Sequence, residues 1–366
     1  MTNSRKRRNT RRAQRNTSRS NRQAQMPPEE TPFTDTLRLS LDRGHPGDFL
    51  GLVSVVVQTL TPDRYASFRR GRSEPTMNLA VFVDECISIE APESTALLTV
   101  LAALVDDPSI QQRCHAELAR RQDALPHWMS DLTSVEGLRA VRLEHVLGDR
   151  DQVMVGMRLA GEFDLTCVVM FDHYRFDDIA DAAVLPVALD RIRHRDVDDF
   201  TTQDMTLADA RAWIAQGLAR GFWRDGPDPA SWPGARPLLR WLIQYLPDGG
   251  AAYEKPDWDP DDGSEVFEEF FATPAGRAFD RRHLRELLSE VCENTGTGDP
   301  LQWSAGRIAQ LACESLSHRY DASVASILRL PDLLRAFVPF AHARKGIRDG
   351  LTKDALAAVD RLSNAA

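Results

Sequence analysis

Lysine, aromatic residues and long apolar runs are all scarce in this 366-residue chain. Four of its 45 basic residues are lysine, and aromatic residues make up 7% of the composition, which argues against a protein built on large stacking surfaces. No apolar run reaches the ~20 residues that a membrane-spanning helix needs. The hydrophobic fraction of 42% nevertheless predicts that most of the chain folds around buried cores. We therefore expect a folded protein with no membrane partner.

The five cysteines are widely spaced, and none belongs to a Cys-x-x-Cys pair. Disulfide frameworks are typical of small secreted proteins, whereas cysteines in cytosolic proteins stay reduced. The basic N-terminus is not followed by the apolar segment that a secretory signal peptide contains. We therefore expect reduced thiols and a cytoplasmic location.

Several motifs that would indicate a specific chemistry are missing from the chain. It has no G-x-x-x-x-G-K-[ST] phosphate loop, no G-x-S-x-G nucleophile elbow and no H-E-x-x-H zinc helix. Gly296 and Gly298 are followed by Asp299 and Pro300, and they come after a predicted helix. We interpret them as a helix-ending turn, because glycine readily adopts the left-handed backbone found at many helix ends. No cofactor is expected, and no enzymatic activity is indicated.

The charge of the chain is divided unevenly between its N-terminus and the remainder. Residues 1–25 hold nine basic residues and no acidic one, whereas the remainder holds 36 basic against 54 acidic residues. The nine are Arg5, Lys6, Arg7, Arg8, Arg11, Arg12, Arg15, Arg19 and Arg22. A cationic segment binds the phosphate backbone by displacing counterions, so we predict that these residues contact nucleic acid. The alternatives are contact with an acidic partner, folding back onto the acidic body, or no specific role.

The first residues and the two flanks of the chain show different patterns. Residues 1–32 are rich in Arg, Asn, Ser and Gln, a composition that predicts a disordered basic tail. Apolar residues at helical spacing predict an N-terminal helical region over 33–138 and a C-terminal helical region over 200–363. In the second of these, Thr206 and Asp209 match a helix-capping pattern.

Between these regions, over residues 139–190, the apolar residues alternate with polar ones. Val153, Val155 and Met157 show this period of two, and the connections between such segments are short and turn-like. Short connections favour antiparallel pairing, because a parallel crossover needs a dozen or more residues. The sequence therefore predicts an α+β fold that is mostly helical, with a three- to four-stranded antiparallel meander between the two helical regions.

The best candidate for a catalytic site is Asp172, His173 and Asp178, where the last long strand is predicted to end. Carboxylates near an imidazole can bind a divalent metal or act as acid and base. This cluster supports an alternative function, a metal-assisted hydrolase. A solvated loop at the end of a strand is the favoured interpretation, since acidic residues are common in polar loops and no partner motif accompanies these. No bound metal is expected.

Seven stretches of the chain resemble a family of uncharacterised actinobacterial proteins. They are residues 44–50, 92–98, 145–149, 206–211, 231–238, 298–304 and 333–342. Their sequences are GHPGDFL, PESTALL, HVLGD, TLADAR, SWPGARPL, GDPLQWS and LLRAFVPFAH. The resemblance implies a bacterial origin and this order of elements, and it implies no activity. After the Asp172-His173 pair, the family has Asn-Leu-Gly where this chain has Tyr174-Arg175-Phe176.

Taken together, the patterns favour a non-catalytic interaction or regulatory protein. In this hypothesis the basic tail contacts nucleic acid or an acidic partner, while the helical body offers a docking surface for another protein.

Overall fold

The structure is a computed structural model that describes residues 33–61, 77–173, 178–192, 197–220, 232–254, 260–313 and 323–365. The predicted tail, residues 1–32, lies outside the described residues. The chain divides into two units, Met1–Gly44 and His45–Ala366. The described part of the first unit forms helix α1, Phe33–Asp42. All further elements belong to the second unit.

The described residues ahead of the sheet form helices whose first residues fix where each begins. These helices are α2, Pro46–Leu60; α3, Leu79–Ser88; α4, Pro92–Leu104; and α5, Pro108–Leu118. Three of them begin with proline, whose fixed φ suits the first turn and whose missing N–H is not needed there. Asn78 and Asp107 cap α3 and α5, because their side-chain oxygens accept hydrogen bonds from backbone N–H groups of the first turn. Helical spacing in this part of the sequence thus corresponds to helices.

The centre of the chain forms an antiparallel sheet in the order β4-β3-β2-β1-β5. Its strands are β1, Val135–His145; β2, Arg150–Leu159; β3, Phe163–Asp172; β4, Asp178–Leu185; and β5, Phe200–Met205. The first four make a meander through short connections, and the α+β class is confirmed. Asp151 pairs with Phe171, and Val153 pairs with Val169, so these four side chains share one face of the sheet.

The predicted count of three or four strands is wrong, because β5 adds a fifth. It pairs antiparallel with β1 at the edge of the sheet, with His145 opposite Phe200 and Ala140 opposite Met205. Its sequence, FTTQDM, has four exposed polar residues in a row, so no apolar alternation marks it. β1 also begins at Val135 instead of residue 139, because a register shift between Gly137 and Arg139 interrupts the alternation there.

After β5 the described chain is helical again. The elements are α6, Leu207–Arg220; α7, Arg236–Ile243; α8, Pro260–Ala272; α9, Arg282–Asn294; α10, Ala305–Cys313; α11, Val324–Ile327; α12, Leu330–Lys345; and α13, Asp349–Ala365. The predicted cap of α6 is confirmed, since Asp209 N donates to Thr206 Oγ1 at 3.0 Å. Helices α8, α9, α10, α12 and α13 enclose an aromatic core around Phe270, Trp303 and Phe337, whose side chains are fully buried.

The cysteine side chains that the structure describes are free and buried: Cys86, Cys114, Cys167 and Cys292. Burial raises the pKa of Cys86, Cys167 and Cys292 to about 12. None of these four forms a disulfide in the described structure, and the side chain of Cys313 lies outside the described part. Within the described ranges, no helix combines the length and apolarity needed to cross a membrane.

Candidate functional site

The three residues singled out in the sequence lie at one end of the central sheet. Asp172 is the last residue of β3, His173 follows it, and Asp178 begins β4 directly opposite Asp172. The side chain of Asp178 lies outside the described part of the structure. Asp172 is half-buried, and its Oδ1 lies 3.9 Å from Nε of Arg150, its partner across the strands.

His173 contacts a carboxylate that sequence reasoning missed. Its Nε2 lies 2.7 Å from Oδ2 of Asp151, and both side chains are almost fully buried, at 3% and 1% exposure. The register explains this contact: Asp151 pairs with Phe171, and His173 follows Phe171 by two residues, so all three side chains point to one face. Asp172 falls on the opposite face of the strand. The structure therefore pairs His173 with Asp151 instead of Asp172.

Arg142 joins this pair from the neighbouring strand β1. Its Nη2 donates to Asp151 Oδ2 at 3.0 Å and lies 3.4 Å from Glu144 Oε1. Oδ2 of Asp151 thus faces both an imidazole and a guanidinium, whereas Oδ1 is buried without a hydrogen-bond partner among the described residues. A buried carboxylate oxygen without a hydrogen bond lowers the stability of the fold, because it has lost its hydration and accepts from no donor in return.

Aromatic rings from the segment after β5 cover the imidazole. Tyr253 stacks on His173 with the ring centroids 4.1 Å apart and an angle of 16° between the planes. Trp213 of α6 packs edge-on against Tyr253, with the ring centroids 4.9 Å apart. The guanidinium of Arg142 lies 5.0 Å from the centroid of the Trp213 ring. Gln216 Nε2 donates to the carbonyl of Tyr253 at 3.1 Å, which holds the tyrosine against α6. These contacts fix the ring orientation of His173.

A cavity of about 170 Å³ lies beside these residues. On the sheet side it is lined by Arg142, Glu144, Gly148, Asp151 and His173, with Tyr253 next to them. The opposite wall is the loop between α9 and α10, which contributes Thr297, Asp299 and Gln302. The cavity therefore joins one end of the sheet to the C-terminal helices.

A buried arginine shapes that loop. The guanidinium of Arg307 is 1% exposed and donates to Thr295 Oγ1 at 2.9 Å and to the carbonyls of Cys292, Asp299 and Gln302 at 2.6 to 2.9 Å. These bonds add a charged donor to carbonyls at the end of α9 and in the following turn, two of which also accept a backbone N–H.

The turn itself uses the two glycines of the predicted helix-ending segment. Gly296 and Gly298 have φ values of 55° and 89°, so the left-handed backbone inferred from the sequence is confirmed. Lys345 from the end of α12 pairs with the carboxylate of Asp299.

The loop also contacts the turn between β1 and β2. Gln302 Nε2 donates to the carbonyl of Val146 at 3.1 Å, and its Oε1 accepts from Thr297 Oγ1 at 3.0 Å. Nearby, Asp149 is buried, and its Oδ1 lies 3.1 Å from Nδ1 of His145. Burial favours its neutral form, but His145 and Ser304 outweigh this and keep the pKa of Asp149 below its usual range.

The structure describes no metal cluster and does not describe the tail. Among its described residues there is no group of three or more His, Cys, Asp or Glu side chains that could hold a metal ion. The nine basic residues predicted to bind nucleic acid, Arg5 to Arg22, lie outside the described residues. Comparisons of the chain with models of protein families, with curated proteins and with solved structures gave no match.

Proposed function

We propose that this protein is a non-catalytic interaction protein of the cytoplasm, whose N-terminal tail binds nucleic acid. The observation that carries the proposal is the division of charge: nine cations and no acid in residues 1–25, against 36 basic and 54 acidic residues in the remainder. The acidic remainder repels a polyphosphate chain, so binding concentrates on the tail. Buried, free thiols such as Cys167 and Cys292 support a reducing compartment.

The expected affinity is modest and depends strongly on salt. Non-specific binding of this kind has a Kd of about 10⁻⁴ to 10⁻⁶ M at physiological salt. If all nine cations contact duplex DNA, the plot of log K against log salt has a slope of about −8. Contacts of this kind carry little sequence preference, because the phosphate backbone is the same for every sequence.

The test compares three versions of the full chain by fluorescence anisotropy with duplex DNA and with single-stranded RNA. In the first variant all nine basic residues become Gln, and in the second the order of residues 2–25 is shuffled with its composition kept. We expect the Gln variant to lose binding and the salt slope, and the shuffled variant to keep both. Unchanged binding by the Gln variant refutes the proposal.

The tail could instead bind an acidic protein, and a second experiment distinguishes that partner from nucleic acid. Pull-down from lysate before and after nuclease treatment separates bridging by polynucleotide from direct protein contact. We expect nuclease treatment to release the bound proteins. Partners that stay bound after nuclease, and are lost from the Gln variant, assign the tail to an acidic protein instead.

A second candidate is the hydrolase suggested by the sequence, and one observation favours it. His173 is held at 2.7 Å by a buried carboxylate beside a cavity, which is the arrangement that orients an imidazole for proton transfer. In this second proposal the carboxylate that pairs with His173 is Asp151. Asp172 and Asp178 lie nearby, at the end of β3 and the start of β4.

Metal analysis and hydrolase assays test this second candidate. The hydrolase hypothesis expects purified full-length protein to hold a divalent ion that His173→Ala releases. The matched control is His115→Ala, because His115 is an exposed residue of α5. Activity that is equal in both variants removes His173 from the chemistry.

A further inference from the structure

We propose that the cavity beside His173 binds a small organic cation, a primary amine that also carries an oxygen acceptor. This site is independent of the tail, and the proposal holds whether or not His173 is catalytic. It rests on the charge balance of the cavity, on one unpartnered carboxylate oxygen, and on the size and lining of the space.

The charge balance favours a cation. Glu144, Asp151 and Asp299 line the cavity, and Arg142 is the one arginine or lysine among the described residues of its lining. Lys345 pairs with Asp299 from outside the lining, and Arg307 lies buried behind the same loop, where it donates to Thr295 and to backbone carbonyls. His173 adds a positive charge only when it is protonated. The described lining itself therefore carries three carboxylates and one permanent cation, and a positively charged ligand complements it.

Asp151 gives the independent indication of a ligand. Its side chain is 1% exposed and lines the cavity, yet Oδ1 accepts no hydrogen bond within the described ranges. Oδ2 is already engaged by His173 and Arg142. An ammonium in the cavity can supply the donor that Oδ1 lacks, and a charge-assisted hydrogen bond of this kind is stronger than a neutral one.

Two further features define the rest of the ligand. Nε of Arg142 is buried without an acceptor in the described structure, so it can donate a hydrogen bond to an oxygen of the ligand. Tyr253 also lines the space, and an aromatic ring at such a site suits a cation, because the ring quadrupole attracts positive charge. A cavity of about 170 Å³ is close to the roughly 150 Å³ that holds benzene elsewhere, so the ligand has few heavy atoms.

The experiment uses three probes of nearly equal size on the full chain: ethanolamine, ethylene glycol and glycolate. They differ in charge at one end, positive, neutral and negative. Isothermal titration and saturation-transfer NMR measure their binding. For the four heavy atoms of ethanolamine we expect a Kd no tighter than roughly 0.05 mM. We expect saturable binding of ethanolamine and at least tenfold weaker binding of the other two.

Variants locate the bound amine. Asp151→Asn keeps the shape and removes the charge, and we expect it to weaken ethanolamine binding about tenfold or more. Because this change also touches His173 and Arg142, near-UV circular dichroism checks that the variant is folded. Glu144→Gln leaves the Asp151 contacts in place, and we expect it to weaken binding a few-fold. Glu162→Gln is the control, since Glu162 is an exposed carboxylate paired with His127 away from the cavity.

Three results would overturn the proposal. The first is equal or tighter binding of glycolate or ethylene glycol. The second is unchanged ethanolamine binding in both Asp151→Asn and Glu144→Gln. The third is no saturable binding of ethanolamine up to about 50 mM, roughly a thousandfold above the tightest expected Kd.

Discussion

Acidification should destabilise this protein through His342, a buried histidine of the C-terminal helices. The residue is 1% exposed, and its Nδ1 lies 2.9 Å from Oγ1 of Thr352 on α13. Burial lowers its pKa from 6.5 to about 4, because the charged imidazolium has lost its hydration. In the unfolded chain the same imidazole is solvated and titrates near 6.5.

The sign of the effect follows from which state binds more protons. Between pH 6.5 and pH 4 the unfolded chain carries a proton on His342 and the folded chain does not, so stability falls as the pH falls through this window. Integrating the two titrations gives a loss of about 2 kcal/mol between pH 7 and pH 5 from this one residue. Above pH 7 the contribution is constant.

Urea unfolding followed by circular dichroism at pH 7, 6, 5 and 4.5 measures this loss. In His342→Gln the side chain can still bond Thr352 but cannot be protonated, so the stability should depend on pH less steeply by about 2 kcal/mol over the same range. His115→Gln, at an exposed position, is the control for losing a histidine as such. If wild type and His342→Gln show parallel pH profiles, the reasoning from burial is wrong.

Two further changes test the packing of the fold. Arg307→Met removes the donor of the hydrogen bonds that hold the loop after α9, so urea unfolding should show a loss of about 3 kcal/mol or more, whereas Arg282→Met at a 91% exposed site should change stability by less than about 0.5 kcal/mol. Gly250→Ala would place its Cβ 2.1 Å from the backbone of Ala208 and should lower the melting temperature, but Gly51→Ala meets open space inside α2 and should stabilise by up to about 1 kcal/mol. A stabilised Gly250→Ala or a destabilised Gly51→Ala would contradict these packing assignments.

The local sequence by itself determined much of the secondary structure. Pro46 begins α2 and the Thr206–Asp209 pair begins α6, because capping and proline geometry involve only neighbouring residues. Gly296 and Gly298 form the predicted left-handed turn for the same reason. The division of charge between the first 25 residues and the remainder also needs no structure to be seen.

Tertiary structure decided the fifth strand and the partner of His173. β5 is polar and exposed, and it is a strand because its backbone pairs with β1, a fact that no side-chain pattern carries. Asp151 lies 22 positions before His173, and only the register of β2 against β3 brings the two side chains to one face.

The same holds for Pro339, which lies inside helix α12, where a proline removes a backbone hydrogen bond and ordinarily kinks or breaks the helix. Helix α12 nevertheless runs from Leu330 to Lys345 without a break, with Phe337 and Val338 fully buried beside the proline. Packing of this face contributes more than the hydrogen bond that the proline removes. Short-range chemistry therefore fixed where elements begin and end, whereas pairings between distant residues depended on the energy of the assembled fold.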